Sequence, residues 1–415
     1  MKASHSRGSS SELDRIARDF VRLCFSLEDH CPGYIDAYFG PPEFKEEGER
    51  GKKSLPQIQE EASNLALELE KMEGGDPTRR ARSLIVHLNS LAGKARLLQG
   101  ISMSFDEESS LLYDATFPPL NLQDFRDIHS SLDSLLPGKG SLRERFQALR
   151  EEFQVPPEKL SSLMERAIQE ARLRTSQWIS LPEGENFTFE LVNNKPWSGY
   201  NWYKGNSQSL IQVNLDLPVF LDTIITLACH EGYPGHHLFN CLREEELYKK
   251  RGWVEFSVFP LFGPDALIAE GTANFAVEMV FPALEDRLRF ESEVLCPLSG
   301  INPQRLELYE NVLSGIRKLA YVQVEAARRY LDGLITREEA LELLRNLRLL
   351  SSEEAEHSLR FIEYYRSYVI NYKLGEDLVK RFVESQGGTM ENLKKRWEVF
   401  VSLLANPTSP SDLKV

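Results

Sequence analysis

Apolar residues recur at three- and four-residue spacing along LDRIARDFVRLCFSL, IQEEASNLALELEKM, RARSLIVHLNSLAGKARLLQG and EKLSSLMERAIQEARLRTSQWI. That spacing predicts helix throughout from Ser11 to about Leu181. Pro/Gly breaks at FGPPEF, EGGDPT and LPGKGS separate the helices. The first ten residues, rich in Ser and Gly, are predicted to form a disordered tail. The period changes at 186–192, where Phe187, Phe189 and Leu191 alternate with Thr188 and Glu190, and again in SLIQVNLD at 209–216. These are the two strands the pattern supports. Between them, NNKPWSGYNWYKGN reads as a loop of aromatic and turn residues, either packed on the surface or forming a wall that faces a substrate. Helical spacing resumes near Leu221 and continues to about Leu404, and TREE at Thr336 to Glu339 is a capping box opening one of these helices.

The expected fold is therefore mainly α, a large helical body with a short β-sheet beside a cleft. A helical region at 11–181 leads into a region at 182–415 that carries the candidate chemistry, the two forming one continuous structural unit. At 415 residues the chain is long enough to bury a sizeable core. Its net charge of −14 argues against a nucleic-acid partner, because no surface of the right sign dominates. Five cysteines, Cys24, Cys31, Cys229, Cys241 and Cys296, lack paired spacing and fit a reducing compartment. No run of eighteen uncharged apolar residues and no signal-peptide pattern occurs, so the expected location is cytoplasmic, with no membrane partner.

Candidate chemistry is concentrated in LACHEGYPGHHLFN, residues 227–240, which holds three of the chain's eight histidines. His230 followed directly by Glu231 supplies a ligand next to a base, which is what a metal-activated water requires. The usual second histidine of such a site lies four residues on; here that position is Pro234, and the spacing is stretched by two. On an unbroken helix His236 would lie about 240° round from His230 and about 9 Å along the axis, too far for one ion. Pro234 and Gly235 are therefore expected to break or bulge the helix and swing His236 back as the second ligand. His237 is its alternative, or a neighbour touching a ligand or the substrate.

A third ligand is expected from PDALIAEGTANFAVEMV, where Ala266, Ala269, Ala273, Ala276 and Val280 mark a small-residue face that also carries Glu270. A carboxylate buried on such a face needs a compensating partner. Zinc would serve; so would an arginine from the C-terminal half. Glu278 on the same helix is expected in solvent or beside the ligands, and the remaining histidines receive no role.

With HEGYPGHHL, AEGTANFAVE and NYKLG, the chain resembles the bacterial family known as domain of unknown function 885, which its HExxPGHH and EG-x-A motifs group with the gluzincin metallopeptidases. The resemblance covers roughly residues 185–380. It implies a helical metallopeptidase-like fold, zinc held by His230, His236 and Glu270, and Glu231 as general base and acid. It also implies that Tyr372 sits near the site and that SLIQVNLD is an edge strand able to hold an extended peptide. The oxyanion donor is expected to be Tyr372 or, second, Arg366. Tyr200 and Asn274 are further residues expected to flank the ligands or the substrate. The expected activity is hydrolysis of short peptides by a zinc-activated water. The alternatives are a metallohydrolase of other amides, using the same residues, and a non-catalytic helical protein whose metal only pins helices.

Overall fold

The computed structural model describes residues 2–72, 78–195 and 197–414, with side chains from Glu12 onward except that of Leu122. Most of the EGGDPT break, and Met1 of the expected tail, lie outside the described residues. The backbone of the first helix, Lys2–Glu28, already runs through the rest of the Ser/Gly-rich segment that composition assigns to a tail.

The chain is mainly α, with two small sheets among the described residues. One sheet pairs β1 (Ile35–Tyr38) antiparallel with β5 (Val258–Pro260), placing Ala37 opposite Phe259. The other contains β2 (Asn186–Val192), β3 (Gly199–Gly205) and β4 (Gln208–Asn214) in the order β2-β4-β3. Both strands expected from alternation are present as β2 and β4. β1, β3 and β5 are additional; β1 and β5 are four and three residues long, too short for a period to register. β3 is the aromatic segment read as a loop, and it alternates after all: Asn201, Tyr203 and Gly205 are buried while Trp202 and Lys204 are exposed. Asn, Gly and Lys hide that period because the buried Asn201 is polar, held by a bond from its Nδ2 and not by hydrophobicity.

The expectation that SLIQVNLD is an edge strand is corrected. β4 bonds to β2 in parallel and to β3 antiparallel, so its backbone groups are taken on both sides and the edges are β2 and β3.

Two apolar cores share the interior. The first joins helices from both ends of the chain, among them Lys2–Glu28, Arg79–Leu98, Ile370–Ser385 and Leu393–Ala405. The second gathers Leu142–Glu151, Leu160–Ser176, Leu221–Leu227 and Leu306–Lys318. The helix Pro264–Val280 contributes Ala266, Ala269 and Phe275 to the first core and Ala276 and Val280 to the second. Fourteen of its 17 residues are buried, as an apolar face on every side requires. Against it crosses Ile370–Ser385, at Gly271 and Gly375, where a Cβ on either residue would lie within 3.0 Å of the other helix's backbone.

Candidate metal centre

The helix Leu221–Leu227 is amphipathic and regular until Ala228, where it widens into a π-turn over Ala228–Gly232. Tyr233 N–H donates to Ala228 O at 3.2 Å and Gly235 N–H to Cys229 O at 2.9 Å, so the chain doubles back before a new helix, His236–Arg243, begins. Gly235 permits the reversal: a Cβ there would lie 1.9 Å from the carbonyl oxygen of His230. The break expected at Pro234–Gly235 is thus present, and the π-turn absorbs the stretched spacing.

As a result, the Nε2 atoms of His230 and His236 lie 3.0 Å apart with the rings near perpendicular, at 85°. Glu270, carried in by the buried helix, places Oε2 at 3.3 Å from His230 Nε2 and 3.8 Å from His236 Nε2. These three residues form the one group among the described residues whose ligating atoms converge in this way, all within 4.8 Å of one another. Ligand atoms bound tetrahedrally to zinc at about 2.0–2.2 Å are about 3.3 Å apart, so the donor set fits that ion in spacing and chemistry. Glu270 Oε2 is also buried without a hydrogen-bond partner. No arginine among the described residues reaches it; its Oε1 accepts from Tyr368 Oη at 2.8 Å.

Burial disfavours charge on Glu270, but the two histidines beside it hold its carboxyl well below the usual range. Burial likewise pulls His236 down, and the Glu270 carboxylate beside it overcomes this and raises it to about 9. A divalent cation would compensate the same carboxylate with both imidazoles neutral.

Asn274 Oδ1 lies 3.0 Å from His230 Nδ1, and Asn274 Nδ2 donates to the Tyr372 carbonyl at 3.1 Å. The second bond orients the amide, so its oxygen accepts from the Nδ1–H and leaves the Nε2 lone pair free for a metal. Glu231 is 4% exposed, 3.9 Å from His230 Nε2, and its Oε2 has no partner. Its carboxylate rests against Gly199 of β3, where a Cβ would approach Oε1 to 2.9 Å. Burial raises its carboxyl. Asn201 donates to the Glu231 carbonyl at 2.8 Å and so ties the sheet to the π-turn.

A cavity of about 500 Å³ opens over these groups. Tyr200 lines it and donates to Asp36, a half-buried carboxyl on β1 that desolvation raises to about 6. Tyr372 lines it too, with a hydroxyl that has no hydrogen-bond partner among the described residues. His237 does not: it is fully buried, with Nδ1 2.8 Å from Ser209 Oγ and Nε2 3.1 Å from Glu185 Oε2. Consecutive residues on a helix diverge by about 100°, so His236 and His237 cannot both face the cluster. Arg366 is also absent from the cavity; its guanidinium pairs with buried Glu108 at 2.7 Å, which removes it as a donor. Glu278 pairs with Lys380 and Arg396.

Sequence reasoning passed over Tyr368, Asp36 and Asn201. Tyr368 lies four residues before Tyr372, one turn along in sequence, and its role follows from the Gly271–Gly375 crossing that no local pattern announces.

No family model matches the chain, and no curated protein matches it, so the resemblance to domain of unknown function 885 rests on the motif residues. Among solved structures, the chain is similar to a candidate lipoprotein from Colwellia psychrerythraea, with a TM-score of 0.54, 15% identity, and coverage of 86% of this chain and 68% of that one. It also aligns with a candidate lipoprotein of unknown function from Shewanella oneidensis, at a TM-score of 0.48 and 13% identity over 89% of this chain and 79% of that one. A third alignment is to metallocarboxypeptidase 1 of Trypanosoma cruzi, at a TM-score of 0.45 and 14% identity over 95% and 91%. The Colwellia likeness concerns the fold.

Proposed function

We propose that this chain is a zinc-dependent hydrolase of short peptides, with His230, His236 and Glu270 holding the metal and Glu231 moving the proton. The observation that carries the reading is the pairing of three converging ligand atoms with a fourth group, the Glu231 carboxylate, which is buried beside them and not engaged as a ligand. A site that only pins helices together has no use for that base. Bound there, zinc would supply Lewis acidity to a carbonyl and to a water.

The chain's own residues do the rest. Glu231 accepts a proton from water as the oxygen adds to the carbonyl carbon, then delivers it to the leaving nitrogen as the C–N bond breaks. Asn274 fixes the His230 ring, and Tyr368 fixes Glu270. The unpartnered Tyr372 hydroxyl donates to the carbonyl oxygen as negative charge grows on it. The size of the cavity suits a few residues of substrate. A cytoplasmic location belongs to the same proposal, since all five cysteines are free thiols, as a reducing compartment allows. Among the described residues no single helix is long and apolar enough to cross a membrane.

The test measures zinc content and hydrolysis of short peptides and of non-peptide amides, on the native chain and on Glu231→Gln. About one zinc per chain in both proteins, with peptide turnover lowered ~10²–10⁴-fold in the variant, is the expected result. Cleavage confined to non-peptide amides would move the substrate class. A zinc-replete native protein that cleaves nothing would leave the metal a purely structural role.

A further inference from the structure

An arginine borders the same cavity. Asp36, Glu231, Glu270 and Glu354 give its lining an acidic character, and Arg348 is the single permanently charged cation among the described lining residues. His357, also on the wall, is held below its ordinary value by burial, so it adds no charge at neutral pH.

Arg348 makes no ion pair among the described residues. Its one hydrogen bond runs from Nη1 to the Ile316 carbonyl at 3.0 Å. A guanidinium has five N–H donors, so four are left without a protein acceptor. The nearby carboxylate of Glu354 is already paired with Arg150 and caps Ser351 N–H at 2.9 Å. Burial pulls Arg348 down to about 10, which leaves it charged at neutral pH. A half-buried guanidinium without a carboxylate is an unbalanced charge that folding alone does not favour.

The backbone that presents it is held from several sides. Arg348 sits in the turn after the helix Arg337–Asn346, where Leu349 adopts φ 63, a conformation sterically disfavoured for a leucine. His129 Nε2 meets the Leu347 carbonyl at 2.9 Å and Gln147 Nε2 donates to the Leu349 carbonyl at 3.1 Å. These two side chains come from two other helices, Leu122–Leu135 and Leu142–Glu151. A turn clamped on both flanks keeps the guanidinium placed before any ligand arrives, which is what a specificity residue requires.

We propose that Arg348 binds the terminal carboxylate of the peptide, so that the enzyme removes residues from, or cleaves close to, a free C-terminus. The inference rests on the reading of the site as a hydrolase of short peptides. A planar guanidinium with free donors matches a carboxylate in a two-bond fork. Reach agrees: a compact cavity of about 500 Å³ is about 10 Å across, the span of about three extended residues at ~3.3–3.6 Å each. A carboxylate on Arg348 therefore sets a bond within about three residues of the terminus over the metal cluster. An acidic side chain carries the same chemistry, so the experiment separates the two sources.

Binding to the zinc-loaded, full-length Glu231→Gln protein is measured by calorimetry, which does not depend on turnover. Three probes are compared: trialanine, trialanine amide, and an N-acetylated, C-amidated tripeptide with a central glutamate. The free acid is expected to bind about 10- to 100-fold tighter than the amide, the range for a charge-assisted hydrogen-bonded pair. Adding Arg348→Ala should bring acid and amide to within about twofold, and Arg348→Lys should restore part of the difference, as a point charge without the fork. Unchanged zinc content and melting temperature guard against a folding defect. Equal binding of acid and amide, an unchanged ratio in Arg348→Ala, tightest binding of the glutamate probe, or no binding by any probe each overturns the proposal. Amidated peptides hydrolysed as well as free acids by the native enzyme would sink this inference while leaving the hydrolase reading standing; a native protein without zinc or turnover would sink that reading first.

Discussion

Gly271 and Gly375 touch backbone to backbone: a Cβ on Gly271 would lie 2.5 Å from the Gly375 carbonyl group, and one on Gly375 would lie 2.7 Å from the Leu267 carbonyl oxygen. Glu270 is the neighbour of the first glycine, and Tyr372 lies three residues before the second. Close approach of the two helices is what brings Tyr368 within 2.8 Å of Glu270. Neither contact can yield by rotating a side chain, because both partners are backbone. Gly271→Ala or Gly375→Ala should therefore cost about 1–3 kcal/mol through overpacking and weaken zinc binding together with stability. Denaturant titration and chelator competition on each variant check this; full zinc affinity in a destabilised Gly271→Ala protein would show that the crossing does not set the ligand.

Asn274 acts on the metal through His230. Asn274→Ala should lower zinc affinity about 10–100-fold, the usual effect of losing the group that orients a ligand histidine. Asn274→Asp retains an acceptor for Nδ1–H and should recover most of it, although the bond to the Tyr372 carbonyl is lost. Equal affinities for the alanine and aspartate variants would contradict an orienting role.

The adjacent histidines should respond in opposite ways. His236→Ala removes a converging nitrogen and is expected to abolish stoichiometric zinc. His237→Ala should keep about one zinc per chain and instead lose about 1–3 kcal/mol of stability, because Ser209 and Glu185 lose a buried partner. Metal analysis beside thermal unfolding distinguishes them.

Tyr372→Phe deletes only the hydroxyl. If that group donates to the carbonyl oxygen as charge develops, kcat should fall about 10²–10³-fold with zinc content unchanged. A fall confined to KM would assign the hydroxyl to ground-state binding.

Outside the cavity lining, Asp265 at the start of the buried helix accepts from His87 at 2.8 Å and Arg243 at 2.6 Å. Burial opposes its charge, but Arg243 and His87 hold its carboxyl well below the ordinary range, and Asp265 raises His87 against the same desolvation. Asp265→Asn leaves Arg243 buried without its counter-charge and should cost about 3–5 kcal/mol. The lowered carboxyl contributes above its unfolded pKa of about 3.9, and that part is lost as pH falls below it. The raised imidazole contributes below its unfolded pKa of about 6.5, and that part is lost as pH rises through the folded value. The stability gap between native and variant should thus be widest near pH 5–6 and narrow on either side. A gap independent of pH would show that the pair does not titrate as a unit.

What could be read from the chain alone was local. His230, Glu231 and His236 sit within seven residues, and a Pro-Gly pair between them demands a break, so the convergence of the two imidazoles follows from helix geometry and stereochemistry. Glu270 was legible because a carboxylate on an alanine face must be compensated. Alternation exposed β2 and β4, whose buried and half-buried faces are largely apolar, but it missed β3, whose buried Asn201 is polar and donates to the Glu231 carbonyl.

Tertiary structure decided everything that depends on which elements meet. Tyr368 reaches Glu270 only through the glycine crossing, and Asp36 enters the cavity only through the pairing of β1 with β5. Arg366 and Tyr372, six residues apart and both candidate donors, the tyrosine first, are separated because Glu108 captures the arginine while Tyr372 opens to the cavity. Arg348 looks like any other arginine in sequence; its lack of a carboxylate partner is a property of its surroundings. Period and composition report how a residue relates to water and to its own helix or strand. They do not carry the long-range contacts that assign one buried polar group to a ligand, another to a support, and leave a third unpaired.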